Sequence, residues 1–188
     1  MTAPTTTDTR TATYTIDATH SAVEFSVRHM MISTVKGRFA GVRGTIVADL
    51  ASPDRSTVEA EIDTTSIDTR AEQRDAHLRS ADFFDVERFP AITFRSRRVE
   101  GAIAREGDRF TVVGDLTIRD VTREITLEAT FEGTGRDPWG GERASFTAVT
   151  KLDRRDFGLG WNQALETGGV LVSNEIRIHL DIQAVKQG

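Results

Sequence analysis

The chain is dominated by short runs in which apolar and polar residues alternate. In the first clear run, Val23, Phe25 and Val27 share one face and the residues between them are polar. The same alternation recurs in segments 57–63, 90–99, 123–133 and 172–184. A period of two is typical of β-strands with one buried face. The pattern predicts about eight strands arranged as long antiparallel meanders.

Turn-forming residues separate these runs at 52–54, 105–108 and 137–141. Gly37, Gly41 and Gly44 interrupt a long extended stretch between residues 33 and 50, where they favour a bulge or a sharp bend. Eight long antiparallel strands must either close into a barrel or stack as a sandwich, and periodicity alone does not choose between them. The first eleven residues lack apolar periodicity and are expected to form a flexible tail, followed by one domain over residues 12–188.

One segment departs from the strand pattern. Thr69 and Glu72 have the spacing of a capping box, and residues 71–80 predict a short helix of about three turns. Phe83 and Phe84 follow directly. Their rings point to opposite sides if the chain is extended there, or pack together as a plug if it is coiled. The sequence thus predicts an all-β domain with one short helical insert.

Composition narrows the function classes. The chain has no cysteine, which excludes disulfides and thiolate chemistry, and its formal charge of −5 is unfavourable for binding nucleic acid. No window has the length and apolar character of a membrane span, and the polar N-terminus shows no secretory signal. We therefore expect a cytoplasmic protein. A homodimer is compatible with strand edges and exposed aromatic side chains that need cover.

The sequence offers few residues for catalysis. The four histidines do not have metal-ligand spacing, no serine lies in a nucleophile elbow, and the strand carboxylates fall on the charged face. We expect no metal, no cofactor and no enzyme activity. His29 is the exception, because it shares the parity of Val27. It is either a satisfied core histidine or a polar group inside an apolar cavity.

The segment 152–175 has an unusual composition, with Arg154, Arg155 and Asp156 preceding Phe157 and Trp161 in a glycine-bearing loop. One interpretation is a long hairpin connection held by an arginine–carboxylate clamp. The other is an apolar lid that places Trp161 over the mouth of a barrel.

Several long motifs in order resemble the YceI-like family of polyisoprenoid-binding, lipocalin-like proteins. They read YTIDATHSAVEFSVRHMMISTVKGRF, RDAHLRSADFFDVERFPAITF, GDLTIRDVTREITLEATF, DRRDFGLGWN and GGVLVSNEIRIHLDI. The resemblance covers residues 13 to about 185. One departure is Asp120, which stands before Val121 where the family pattern has glycine, and it bears on turn geometry.

The resemblance implies an extended eight-stranded antiparallel barrel whose cavity holds a long-chain isoprenoid or a fatty-acid-like lipid. Under this hypothesis the walls are Val23, Phe25, Val27, Phe39, Ile92, Phe94, Leu116 and Ile118. Phe83, Phe84 and Trp161 would guard an opening, and His29 or Arg154 would meet a polar head group. Two alternatives stay open: an isomerase or cyclase that uses His29, and an interaction module with a dry core.

Overall fold

The computed structural model describes residues 11–49 and 51–188. Within them the chain forms eleven strands and one α-helix. The elements are β1 (Thr11–Ile16), β2 (Ala22–His29), β3 (Ser33–Phe39), β4 (Val42–Asp49), β5 (Thr57–Asp63), β6 (Ile67–Asp68), α1 (Glu72–Arg79), β7 (Ala91–Gly101), β8 (Arg109–Ile118), β9 (Val121–Arg136), β10 (Glu142–Asp153) and β11 (Val172–Lys186).

The strands close into a barrel of eight long antiparallel strands. Three of these long strands are bent and are therefore divided in two, as β1–β2, β3–β4 and β5–β6, while β7 to β11 run without a break. Each long strand pairs with the next one along the chain. The first and last also pair, since Tyr14 of β1 lies opposite Lys186 and Val23 of β2 lies opposite Leu180. Closure removes the sheet edges that a sandwich would leave, so the all-β, eight-stranded antiparallel barrel predicted from the family resemblance is confirmed.

An added Cβ would clash at all three glycines that interrupt the extended stretch, and at Gly44 it would meet the backbone of Glu59 and Ala60. Gly41 lies at the break between β3 and β4, where an added Cβ would be 2.9 Å from the Cβ of Asp63. Gly37 lies within β3 directly opposite Phe25, whose ring occupies the space that a side chain at position 37 would need. The predicted bend is thus at Gly41, whereas Gly37 lets an aromatic ring cover the inner face of the neighbouring strand.

The helical insert is present, but it is shorter than predicted and the capping box is wrong. Helix α1 begins after Ala71, which makes no side-chain cap. The Thr69 hydroxyl instead donates to the Asp75 carboxylate at 2.5 Å, and the Thr69 backbone N–H donates to the same oxygen at 2.9 Å. Arg70 has a φ of 62°, so the chain turns away before the helix starts and Thr69 cannot reach the first helical amides.

Residues 1–10 of the predicted N-terminal tail lie outside the described residues. Thr11, which the prediction placed in the tail, is the first residue of β1 and lies opposite Asp49 of β4. No helix in the described ranges has both the length and the apolar character needed to cross a bilayer.

The hydrophobic core lies inside the barrel because inward-facing residues of neighbouring strands stand side by side. One such row is Phe110, Ala129, Ala148, Leu180, Val23 and Phe39, each directly opposite the next across β8, β9, β10, β11, β2 and β3. Residues opposite one another in antiparallel strands project to the same face. The rows of the eight long strands therefore line one common interior.

Candidate functional site: an apolar cavity inside the barrel

The interior of the barrel is not completely filled. It contains a cavity of about 310 Å³, whose lining comes from all eight long strands and from α1. The lining is almost entirely aliphatic and aromatic. Its polar members are Tyr14, Ser56, Thr134, Thr150 and Arg154. A concave apolar space with few polar groups is the usual form of a small-molecule site, and this volume is at the lower end of the roughly 300–1,000 Å³ typical of such sites.

Small side chains on β9 and β10 contribute to this space. Ala129 and Ala148 are buried, lie directly opposite each other, and both line the cavity. Larger neighbours flank them in the same row, with Phe110 on one side and Leu180 on the other. Because an alanine ends at Cβ, this part of the wall is recessed relative to its neighbours. The inner surface thus has a concave strip that larger side chains would fill.

Most of the predicted site residues face this cavity. Eleven of the thirteen line it: Val23, Phe25, Val27, Phe39, Phe83, Phe84, Ile92, Phe94, Leu116, Ile118 and Arg154. The structure places them around one space although they come from four strands (β2, β3, β7 and β8), from the segment after α1 and from the turn after β10. Their role in holding a ligand stays a prediction.

Phe83 and Phe84 lie in the coiled segment after α1 and form the plug that was one of the two predicted arrangements. Both rings line the cavity. The Phe84 ring meets Phe39 edge to face at 5.6 Å between centroids, and Phe39 in turn lies 5.7 Å from Phe25. Edge-to-face contacts of this kind add to the burial of each ring. The helical insert therefore covers one end of the barrel with aromatic side chains.

Trp161 and His29 do not line the cavity. The Trp161 ring packs edge to face on His77 at 4.6 Å and lies 5.4 Å from Phe83, so it supports the plug from outside the cavity. His29 is half-buried at the last position of β2, where it lies opposite Val172 and Ser33. The chain turns at Met30 directly afterwards, so the parity that held from Val23 to Val27 ends at the rim. The roles of Trp161 at the cavity mouth and of His29 as a polar group for the ligand stay predictions, and neither side chain is part of the lining.

Arg154 lines the cavity, but most of its N–H groups donate to backbone carbonyl oxygens. It is 5% exposed. Its guanidinium donates to the carbonyl oxygens of Ser173 (3.0 Å), Trp161 (2.8 Å), Leu159 (2.5 Å) and Val172 (3.4 Å), which occupies four of its five N–H groups. Burial lowers the pKa of this guanidinium from its usual value.

The arginine–carboxylate clamp is formed by the next residue. Arg155 is exposed and pairs with Asp153, with Nη2 and Oδ2 2.6 Å apart. This pairing lowers the pKa of Asp153 to about 2. Arg154 therefore anchors the 158–171 loop, and Arg155 contributes a surface ion pair. Only one N–H of the Arg154 guanidinium is free to meet a polar head group, and that role stays a prediction.

Tyr14 is the other ionisable group in the lining. Its hydroxyl donates to Glu142 at 3.4 Å, and burial together with the Glu142 charge raises its pKa. Residues 11–49 and 51–188 contain no group of three acidic or histidine side chains placed to hold a metal ion.

Several lining residues are not among those predicted from the sequence. Leu78 reaches the cavity from α1, and Ala129 and Ala148 from β9 and β10. The alternation in β9 and β11 gave a usable signal, because Leu127, Ile178 and Leu180 have the predicted parity and also line the cavity. Leu78 gave only the weaker signal of an apolar residue in a mostly charged helix, where it was an expected apolar contact.

An eight-stranded up-and-down barrel with an apolar interior places this protein in the class of lipocalin-like barrels. Residues 14–184 match the family model described as "YceI-like domain". Protein YceI of Salmonella newport is 38% identical over 178 residues, which cover 94% of this chain and 88% of that protein. The chain therefore belongs to the YceI-like family, as the sequence motifs predicted.

Solved structures have the same fold. BcnA of Burkholderia cenocepacia superposes with a TM-score of 0.76 at 22% identity, covering 89% of this chain and 98% of that one. A polyisoprenoid binding domain from Saccharophagus degradans superposes with a TM-score of 0.67 at 15% identity, covering 93% of this chain and 98% of that one. At these identities the likeness supports the fold.

Proposed function

We propose that this protein binds a long-chain isoprenoid or a fatty-acid-like lipid in the barrel cavity and carries it without altering it chemically. The observation that carries this proposal is the unfilled apolar cavity, because a barrel built only for stability would pack its interior to the density of an organic crystal. The name of the Saccharophagus degradans domain, which describes polyisoprenoid binding, supports the same ligand class.

Burial of hydrocarbon is sufficient for useful affinity. Each buried methylene stabilises a complex by roughly 0.8 kcal/mol, so a guest that buries ten to fifteen carbons gains about 8–12 kcal/mol before the cost of association. The recessed strip at Ala129 and Ala148 and the aromatic plug around Phe84 would contact such a guest along its length. The single free N–H of Arg154 offers at most one hydrogen bond to a polar end.

The alternative of an isomerase or cyclase needs an acid or base that can reach the guest. His29, the residue proposed for that role, lies outside the cavity lining. Arg154 donates to carbonyl oxygens, and the Tyr14 hydroxyl donates to Glu142, which does not line the cavity. This arrangement favours the carrier over the enzyme.

The test is uptake of polyprenols of increasing chain length by the purified full chain, together with mass spectrometry of an organic extract. We expect affinity to rise with each added isoprene unit until the cavity is full, and then to level off. An extract without any apolar guest, combined with no uptake at any chain length, would show that the cavity is not a ligand site. The dimer and the cytoplasmic location stay predictions.

A further inference from the structure

The turn between β2 and β3 presents three consecutive apolar residues to solvent. Met30, Met31 and Ile32 are 43%, 56% and 77% exposed. The other large apolar side chains exposed in the described ranges are Trp139 and Val149, and they stand alone. Single exposed apolar residues are ordinary, whereas a contiguous group usually marks a contact surface. We call residues 30–32 the apolar tip.

The apolar tip is held in a conformation that its residues do not favour. Met30 and Met31 have φ values of 50° and 62°, in the left-handed region that suits glycine or asparagine. The Met30 N–H donates to the Leu171 carbonyl at 2.8 Å, and Arg28 donates to the Met31 carbonyl at 2.8 Å. Asn-Gly would form such a turn at lower cost. The methionines are therefore unfavourable for the local fold, which points to a role outside it.

Basic side chains lie on the outer face beside the tip. Lys36, Arg177 and Lys151 stand in one outward-facing row, in which Ser26 lies between Lys36 and Arg177. Arg28 lies closer to the tip on β2. All four cations are exposed. Glu175 is the carboxylate that pairs within this group, with Arg177 at 3.3 Å and Lys151 at 4.0 Å. These four cations outnumber the one carboxylate that pairs with them, on a chain whose formal charge is −5.

The tip is also continuous with the cavity wall. Met30 is hydrogen-bonded to Leu171, and the next residue, Val172, lines the cavity and lies opposite His29. Val27, two residues before His29, lines it as well. Apolar exposed residues, adjacent cations and the cavity wall therefore occupy the same end of the barrel.

We propose that the apolar tip and the adjacent cations dock the barrel onto an anionic lipid bilayer, from which the guest enters or leaves the cavity. The inference rests on the proposed function, since only an apolar guest needs a bilayer as its source. The tip would enter the interfacial region while Arg28, Lys36, Lys151 and Arg177 face anionic head groups. Apolar insertion combined with basic contacts is the general mode of peripheral membrane binding.

The test is flotation of the purified full chain with vesicles of phosphatidylcholine alone or mixed with phosphatidylglycerol. The tip variant combines Met31→Asn and Ile32→Ser, since asparagine accepts the left-handed turn. The matched control is Trp139→Ser, an exposed apolar residue (88%) in the β9–β10 turn at the opposite end of the barrel. A charge variant combines Lys36→Gln and Lys151→Gln.

We expect the unmodified protein to float with the anionic vesicles and to be released by salt. The tip variant should bind them at least about tenfold more weakly, because burial of one such side chain in the bilayer raises the partition coefficient about tenfold or more. The charge variant should lose preference for anionic over neutral vesicles. The inference is overturned if the unmodified protein binds neither vesicle, or if Trp139→Ser weakens binding as much as the tip variant.

Uptake of a dilute polyprenol from solution separates this inference from the proposed function. The tip variant should take up the guest as the unmodified protein does, because the tip residues do not line the cavity. If the unmodified protein takes up the polyprenol but does not float with vesicles, docking is disproved and the carrier function is unaffected. No uptake by any form would disprove the carrier function, whatever the vesicles show.

Discussion

The substitution Ala148→Leu distinguishes a ligand cavity from a dry core. Ala148 faces the cavity and lies between Ala129 and Leu180 in one row of the wall. Leucine adds three carbons, which would occupy the recessed strip. If they displace three carbons of the guest, the lost burial of roughly 0.8 kcal/mol per carbon amounts to about 2.4 kcal/mol. The dissociation constant should then rise by about 50-fold.

The same substitution should not lower stability. Apolar atoms added to an empty apolar space are themselves buried, so the free energy of unfolding in urea should stay constant or rise. In a tightly packed core, three extra carbons would force strained rotamers and cost about 1–3 kcal/mol. The two interpretations therefore predict opposite changes in the unfolding midpoint.

Fluorescence titration with a polyprenol analogue and urea unfolding of the same preparation give both quantities. Val149→Leu is the matched control, because Val149 is the next residue on β10 and projects to solvent, with 43% exposure. It should change neither affinity nor unfolding. The cavity would not be a ligand site if Ala148→Leu lowered the free energy of unfolding by about 1–3 kcal/mol and left guest affinity unchanged.

Two further predictions concern the parts that hold the barrel together. Arg154→Met should lower the free energy of unfolding by about 3 kcal/mol, because four carbonyl oxygens lose a charged donor; it should also expose the 158–171 loop to limited proteolysis, whereas Arg155→Met should change little. Acid should destabilise the protein below about pH 4, because Arg143 holds the pKa of Asp17 below the usual value of 3.8, and the Gly141 backbone N–H together with Arg143 does the same for Asp137. The unfolded chain then takes up protons first, so stability that is complete above the usual pKa is lost as pH falls towards the lower folded values. The urea unfolding midpoint should therefore decrease less between pH 7 and pH 3 in Arg143→Met than in the unmodified protein. An equal decrease in both proteins would contradict the role of Arg143.

The strands could be predicted because their signal is local. Val23, Phe25 and Val27 alternate with polar residues, and the pleat of a strand alone sends them to one face. The helical insert was recognisable for the same reason. Its start was not, since Thr69 bonds to Asp75 rather than to helical amides, and that choice depends on the left-handed Arg70.

The roles of individual polar residues depended on long-range contacts. Whether Arg154 meets a carboxylate, a ligand or the backbone is decided by carbonyls of the loop that folds back over it. The position of Trp161 depends on His77 and Phe83, which are more than seventy residues away in the chain. No periodicity in the sequence records such contacts.

The sequence by itself determined the class of element, the approximate number of strands, the faces that are buried and, through its motifs, the family. Only the tertiary structure decided that a cavity remains inside the barrel, because alternation states which side chains point inward but not how much volume they leave when the strands close. Closure joins Tyr14 to Lys186 across almost the whole chain. The space that remains depends on the summed volumes of side chains from every strand, including Ala129 and Ala148, and on the plug formed by Phe83 and Phe84.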